Sequence, residues 1–284
     1  MPDTIQRFIF DNTDVRGELV QLQQSYQDAL GKHNYTGPVA RLLGDFLNAA
    51  ALLSATLKFE GTLTLQARSD GQVPLIMAEA TSTGKLRGIA RDAENANSES
   101  FQELLSNGKL AITITPHKGQ RYQGIVPLDG NNLAECLEHY FQQSEQLATR
   151  LWFASDQQRS TGMLLQELPA SDAIDADTRR EQWLHLTHLA QTVSEQELLT
   201  LDIETLLHRL YHQEQVRLFE PSALSFQCSC SEQRTATAIK AIGLQEAQAI
   251  VEEQGAISIH CEFCHHHYRF DLAAINAIFL PPLH

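Results

Sequence analysis

Cys228-Ser229-Cys230 and Cys261-Glu262-Phe263-Cys264 hold four of the five cysteines of this 284-residue chain, and their reading decides how its last quarter folds. Two close pairs about thirty residues apart can wrap one tetrahedral metal ion with four sulfur ligands. Within each pair the sulfurs also lie near enough to close a disulfide once the ion leaves. Metal knot and disulfides are alternative states of the same four atoms, so the stretch is both a candidate staple and a candidate switch. The Cys-x-x-Cys half is the usual turn on which two sulfurs and nearby backbone N–H groups converge on Zn2+. The Cys-x-Cys half would close a very small, strained ring that is easily reduced again. Cys261–Cys264, with the larger ring, is therefore expected to form first.

Four thiolates carry more charge than one Zn2+ cancels, and Arg234, Lys240 and Arg269 are the nearby cations able to spread the remainder. His260, His265, His266 and His267 flank the second pair, and imidazole is itself a zinc ligand. Four sulfurs already complete a tetrahedron, so these histidines read as solvated loop residues and no water-activating site is expected. The fifth cysteine, Cys136, shares a helical stripe with Leu133, Leu137 and Tyr140 and reads as a small core residue.

Around the cysteines, residues 222–284 read as a small C-terminal module. Ala238, Ile239 and Ile242, then Ala249, Ile250 and Val251, suggest short helices broken at Gly243. Ile257 and Ile259 alternate into Cys261, and Tyr268 and Phe270 alternate after Cys264. So few large apolar groups make a marginal core that calls for a staple. Upstream, residues 171–221 read as an amphipathic helical linker closed by Pro221. Trp183, Leu186 and Val193 lie on one stripe, and Ile203, Leu206 and Leu210 on another. Ser194 and Glu197 have the spacing of a capping box between them. The stripes need apolar surface to cover, and a linker placed just before the cysteine module is the part to move when that module changes.

Residues 1–170 read as a mixed α/β domain with antiparallel strands and helices. Strand signals fall at Leu63–Ala67, Val73–Ala80, Leu86–Ala90, Leu110–Thr115 and Tyr122–Leu128, spaced as a meander. A helix begins at Pro38 and carries Val39, Leu42, Leu43, Phe46, Leu47 and Ala50. Leu133, Leu137, Tyr140, Phe141 and Leu147 mark another. The fold class is thus α+β: an N-terminal domain, a helical linker and a small zinc-binding domain.

The formal net charge of −14 argues against a phosphate-backbone partner, because such binding rests on Lys and Arg. With no run of 18 apolar residues and no basic, apolar start, neither a membrane span nor a secretory leader is expected. Clustered rather than scattered cysteines fit a reducing compartment, and the cytoplasm is the expected location. No Gly-x-Ser-x-Gly, phosphate-binding Gly loop or His-Glu-x-x-His occurs, and Asp45, Glu79 and Glu103 have no visible partner scheme. No enzyme is expected.

The chain resembles the heat-shock protein 33 family almost end to end. The resemblance rests on Cys-x-Cys, some thirty residues, then Cys-x-x-Cys, set among Arg209-Leu210-Tyr211-His212, Val216-Arg217-Leu218-Phe219-Glu220-Pro221 and Gly255-Ala256-Ile257. Gly37-Pro38-Val39-Ala40-Arg41-Leu42-Leu43-Gly44, Arg87-Gly88 and Gly162-Met163-Leu164-Leu165-Gln166 match its N-terminal part. Cys136 and the His265-His266-His267 run depart from the pattern. The resemblance implies a redox-regulated holdase chaperone that works without ATP. It implies one zinc on Cys228, Cys230, Cys261 and Cys264 in the reduced, inactive form. Oxidation would then form Cys228–Cys230 and Cys261–Cys264, expel zinc and unfold the linker. A dimer would hold unfolding client proteins on the surface so bared. Client-binding candidates are Trp183, Leu186, Val193, Ile203, Leu206 and Leu210. Taken alone, the spacing also admits a zinc-ribbon adaptor with a purely structural metal.

Overall fold

The computed structural model describes residues 2–170 and 174–280; the expected start of the linker at 171 and the end of the small module beyond 280 lie outside the described residues. Contacts divide the chain into two compact units between Gln227 and Cys228.

The first unit opens with a hairpin, β1 (Thr4–Phe10) and β2 (Val15–Leu22), followed by α1 (Gln24–Leu30) and α2 (Gly37–Thr56). Then come β3 (Gly61–Arg68), β4 (Leu75–Thr81), β5 (Lys85–Arg91), the short α3 (Phe101–Leu104), β6 (Lys109–Pro116) and β7 (Tyr122–Pro127). Next, α4 (Leu133–Tyr140) runs into a π-helical turn at Phe141–Glu145, so Leu147 lies beyond the helix expected to contain it. Strands β8 (Thr149–Ser155) and β9 (Ser160–Glu167) precede three helices, α5 (Ala176–Ala190), α6 (Glu195–Thr200) and α7 (Ile203–Tyr211). Three short strands close the unit: β10 (Val216–Leu218), β11 (Ser222–Ala223) and β12 (Ser225–Phe226). Residues 222–226, read from sequence as part of the small module, pair with strands of this first unit.

Two antiparallel-rich sheets result. One runs β10-β1-β2-β9-β8, with β11 also on β1; the other runs β12-β5-β4-β3-β6-β7. The second sheet buries one face only. Leu63, Leu65 and Ala67 point inward while Thr62, Thr64 and Gln66 stay half-exposed, which is the alternation legible in the sequence. In the first sheet both faces are covered, so β2 and β9 are buried at nearly every position and carry no period of two.

Helix α2 supplies one of those covers. Pro38 sits in its first turn, where a missing N–H costs nothing, and the helix packs against both sheets. By length and composition it could cross a membrane, contrary to the expectation of no such run, yet 78% of its apolar window is buried inside the unit. That is the setting of a core helix.

Helices α5, α6 and α7 cover the other face. Leu186, Ile203, Leu206, Leu210 and Tyr211 bury against Phe8, Phe10, Val15, Leu19, Met163 and Leu165, with Trp183 and Val193 partly buried at the margin. Tyr211 meets the Phe10 ring edge-on at 4.7 Å. Each helix starts on a side-chain cap, Asp175, Ser194 and Asp202. At Ser194 the expected capping box is complete: Ser194 N–H donates to Glu197 at 2.8 Å and Glu197 N–H to Ser194 Oγ at 3.3 Å.

Two acids of this unit, the buried Glu18 and the partly buried Asp45, have raised pKa values. Burial pushes Glu18 up to about 7, against the opposing pull of Arg16 and Arg7. It pushes Asp45 to about 7 as well, although Ser155 Oγ donates to Asp45 at 3.0 Å. A folded-state pKa raised above the unfolded one means that the folded state binds the extra proton between about 4.5 and 7. Stability should therefore rise as pH falls from 7 to 5, by on the order of 1 kcal/mol per pH unit for each group. Urea midpoints measured across that range should show this slope, and Glu18→Gln should flatten it. A midpoint that falls with acid, or a slope untouched by Glu18→Gln, refutes the assignment.

The second unit contains α8 (Glu232–Ile242), α9 (Leu244–Gln254), the hairpin β13 (Ile257–His260) and β14 (His267–Phe270), and α10 (Leu272–Phe279). Gly243, at φ 92°, separates the first two helices as expected. The core cluster is Ile239, Ala247, Val251, Ile257, Phe270 and Ile275.

Candidate metal centre

Each cysteine pair sits where backbone geometry turns its sulfurs inward. Cys261 and Cys264 occupy the tight connection between β13 and β14, closed by the Cys261 N–H to the His266 carbonyl at 2.9 Å and the His265 N–H to the Cys261 carbonyl at 2.8 Å. His265 takes a left-handed φ of 56° to make that turn. Cys228 and Cys230 lie just before α8, whose first turn Ser231 caps. A helix N-terminus beside sulfur favours thiolate.

The four sulfurs converge, all within 4.8 Å of one another. Cys228 Sγ lies 3.5 Å from Cys261 Sγ, and Cys230 Sγ 3.4 Å from Cys264 Sγ. A tetrahedral ion with metal–sulfur bonds of 2.3 Å sets its sulfurs about 3.8 Å apart. The cluster fits such an ion, and all four residues are free thiols of intermediate burial.

Protons tell the same story. At Cys228 burial pushes the thiol up, but the Cys230 N–H and neighbouring sulfurs hydrogen-bond its thiolate and bring it down to about 7. Burial, with bonding to the other sulfurs, raises Cys261 and carries Cys264 up to about 12. The Cys228 thiolate forms readily; thiolates at Cys261 and Cys264 beside it do not. A divalent cation removes that resistance, which is why these four atoms can hold a metal ion.

Of the cations named from sequence, Arg234 reaches the site: its guanidinium donates to the Ser229 carbonyl at 2.9 Å and to Ser229 Oγ at 2.7 Å, holding the Cys-x-Cys turn. Lys240 lies in the last turn of α8, and Arg269 stands opposite Ser258 in the hairpin. Among the described residues the metal-competent group contains no histidine. His260 instead stacks on His267 at 4.3 Å, and His266 meets Tyr268 edge-on at 4.5 Å.

Tyr268 is the residue that sequence reasoning missed. Its hydroxyl donates to Cys230 Sγ at 3.2 Å, and that bond to sulfur pushes the phenol up to about 12. Donors of this kind orient ligands and tune the ion they hold. Only its place four residues after Cys264, in a strand, hinted at the role.

The remaining singled-out residues have other partners. Cys136 is buried at 1% exposure, accepts from the Gly130 N–H at 3.3 Å, and has its thiol pushed up by burial. Glu79 is paired with Arg87 at 2.6 Å, and Glu103 lies in the first turn of α3.

Comparison with known proteins places these features in context. A family model described as Hsp33 protein matches residues 3–271. The 33 kDa chaperonin of Pseudomonas paraeruginosa strain PA7 is 53% identical over 280 residues, 98% of this chain and 94% of its own. That of Ectopseudomonas mendocina strain ymp is 53% identical over 282 residues, 98% and 96% of the two chains. The crystal structure of the 33 kDa chaperonin from Thermotoga maritima superposes with a TM-score of 0.81 over 97% of each chain at 19% identity, a likeness of fold.

Proposed function

The chain belongs to the Hsp33 family, and on that premise we propose that it is a redox-regulated holdase, working without ATP on unfolding proteins in the cytoplasm. The observation that carries this reading is the convergence of four thiols within 4.8 Å in a unit whose core cluster, among the described residues, has six buried side chains. Such a unit depends on its metal for stability and on its thiols for the metal.

In the reduced form, Cys228, Cys230, Cys261 and Cys264 hold one Zn2+, which keeps the thiolates deprotonated and the hairpin tied to the start of α8. Helices α5 to α7, within the expected linker 171–221, serve as the lid, and the second unit from Cys228 onward serves as the switch. Peroxide takes two electrons from each cysteine pair. A sulfur–sulfur bond forms, the oxygen–oxygen bond breaks, and two protons complete two waters, so a chain consumes two peroxides. Sulfurs tied up as Cys228–Cys230 and Cys261–Cys264 no longer carry the charge that retains the ion. The linker then loosens, baring Trp183, Leu186, Val193, Ile203, Leu206 and Leu210 together with the Phe8–Phe10 face of the sheet. That surface takes up clients and pairs two chains as a homodimer.

The test is peroxide with mild heat, following zinc release, free thiols and suppression of client aggregation together. All three should change in step. Zinc loss without any gain in aggregation suppression would leave a purely structural metal site. Peptide mapping of the oxidised chain should find Cys261–Cys264 earliest, Cys228–Cys230 later, and Cys136 still a thiol, because burial keeps it protonated and out of reach. Mainly cross-pair disulfides such as Cys230–Cys261 would refute the pairing.

A further inference from the structure

The outer edge of β1 is closed by the stretch of chain that leads straight into the first metal cysteine. Residues 215–224 run antiparallel along it. The Asp11 N–H donates to the Gln215 carbonyl, the Phe219 N–H to the Arg7 carbonyl and the Leu224 N–H to the Asp3 carbonyl, each at 2.9 Å. Phe8 stands opposite Leu218 and Phe10 opposite Val216; Thr4 and Ile5 stand opposite Ala223 and Ser222. At the break around Pro221, Gln6 Nε2 reaches the Phe219 carbonyl at 2.7 Å. The strap then crosses to the other sheet, where Ser225 and Phe226 lie parallel to Lys85 and Leu86. The Gln227 N–H donates to the Leu86 carbonyl at 2.9 Å, and the next residue is Cys228. The fit at the crossing is close: a side chain on Gly84, which has φ +76°, would meet the Ala223 carbonyl oxygen at 2.5 Å.

Little in the strap itself demands a strand. Its three pieces hold three, two and two residues, and Pro221 interrupts them. The edge holds the strap, and what that edge recognises is extended backbone. Val216 and Leu218, two residues apart, lean on the Phe8 and Phe10 cluster, while Ser222 and Ala223 are exposed. The seat therefore accepts an antiparallel segment with an apolar residue at every second place, a description that unfolding proteins meet at many points along their chains. An uncovered edge is also a ready template for pairing with another chain.

We propose that the outer edge of β1, residues 3–11, is a client seat. When the strap is released, an extended segment of an unfolding protein adds to the sheet as an antiparallel strand. Its alternate apolar side chains then take the places of Val216 and Leu218. This rests on the redox-activated holdase reading and adds that main-chain hydrogen bonds, indifferent to client sequence, share the load with apolar surface.

Backbone alternation supplies the test. The groups of Arg7 and Asp11 face the strap, and so by alternation do those of Ile9, while those of Phe8 and Phe10 face β2. Amide exchange by NMR on the full chain should show Phe8, Ile9, Phe10 and Asp11 protected when reduced. On oxidation Ile9 and Asp11 should exchange roughly tenfold faster or more, with Phe8 and Phe10 unchanged. Adding reduced, carboxymethylated α-lactalbumin, which stays unfolded, should restore protection at Ile9 and Asp11. If this client is held while those amides stay fast, the edge proposal falls and the holdase reading stands. If oxidised chain holds no client at all, the holdase reading falls with it. If protection returns on concentrating the oxidised chain alone, the strap of a second copy fills the edge and the proposal is overturned. Independently, Ile9→Pro removes one outward donor and leaves the β1–β2 ladder intact. It should weaken α-lactalbumin capture by the oxidised chain about threefold to tenfold, one hydrogen bond's worth. Unweakened capture by that variant, folded and zinc-loaded when reduced, would count against the edge.

Discussion

A chain carrying Cys228→Ser and Cys261→Ser should emerge from purification without zinc and with residues 228–280 unfolded, while helix α2 and the strands β1 to β9 of the first unit remain folded. Those two residues supply one sulfur from each pair, the two that lie 3.5 Å apart. Structural zinc contributes roughly 10–16 kcal/mol in small metal-dependent domains. That equals or exceeds the whole stability of a typical domain, about 5–15 kcal/mol. The core cluster of Ile239, Ala247, Val251, Ile257, Phe270 and Ile275 is too small to replace it. Zinc analysis after exhaustive dialysis, with limited proteolysis across residues 228–280, reads both effects. Full zinc retention, or a protease-resistant second unit without zinc, would end the assignment of these sulfurs as its staple.

Leu206→Ala combined with Tyr211→Ala should make the reduced, zinc-loaded chain suppress client aggregation with no oxidant present. Leu206 is fully buried, and Tyr211, at 1% exposure, packs edge-on against Phe10 while its hydroxyl donates to the Leu186 carbonyl at 3.3 Å. Truncations of this kind cost about 2–5 kcal/mol each, though neighbours such as these do not add simply. Helices of six to fifteen residues are marginal away from their packing surface. Losing the anchor residues of α7 should therefore free the set and uncover Phe8, Phe10, Val15, Leu19, Met163 and Leu165. Fluorescence of Trp183 and amide exchange in residues 176–211 report the release directly. If the helices are shown to be undocked and the reduced chain remains inert toward aggregating protein, they do not act as a lid.

The two effects are linked through the backbone. Gln227, bonded to the Leu86 carbonyl, is the residue before Cys228. On the proposed mechanism, unfolding of the second unit would turn a fixed chain end at that point into a mobile one, and the strap would fray from its last hydrogen bond backward. Short strands with exposed backbone bonds open most easily.

Legibility in the sequence followed burial. Strands β3 to β7 were readable because their sheet has one wet face, so Leu63, Leu65 and Ala67 alternate with polar neighbours. Strands β1, β2, β8 and β9 went unread. In β2 and β9 burial on both faces erases the period of two, and Gly17 and Gly162 interrupt the remaining pattern. Helix α2 was visible from Pro38 onward. The helix through Leu133 is shorter than its apolar stripe suggests, since the π-helical turn at Phe141–Glu145 ends its 3.6-residue period.

Spacing along the chain sufficed for the four cysteines because ligands two or three residues apart must share a turn, and a turn is a local structure. It sufficed equally for the stripes of α5 and α7 and for the Ser194 cap, which depend on neighbours within one or two helical turns. What these elements meet was decided elsewhere. That α5–α7 cover Phe8 and Phe10, that Tyr268 aims its hydroxyl at Cys230, and that residues 215–227 close the edges of two sheets all depend on pairings across tens to hundreds of residues. Local periodicity carries no record of such partners. A strand of two residues such as Ser222–Ala223 has no pattern of its own, and it exists because β1 presents unpaired N–H and C=O groups that burial would otherwise leave unsatisfied.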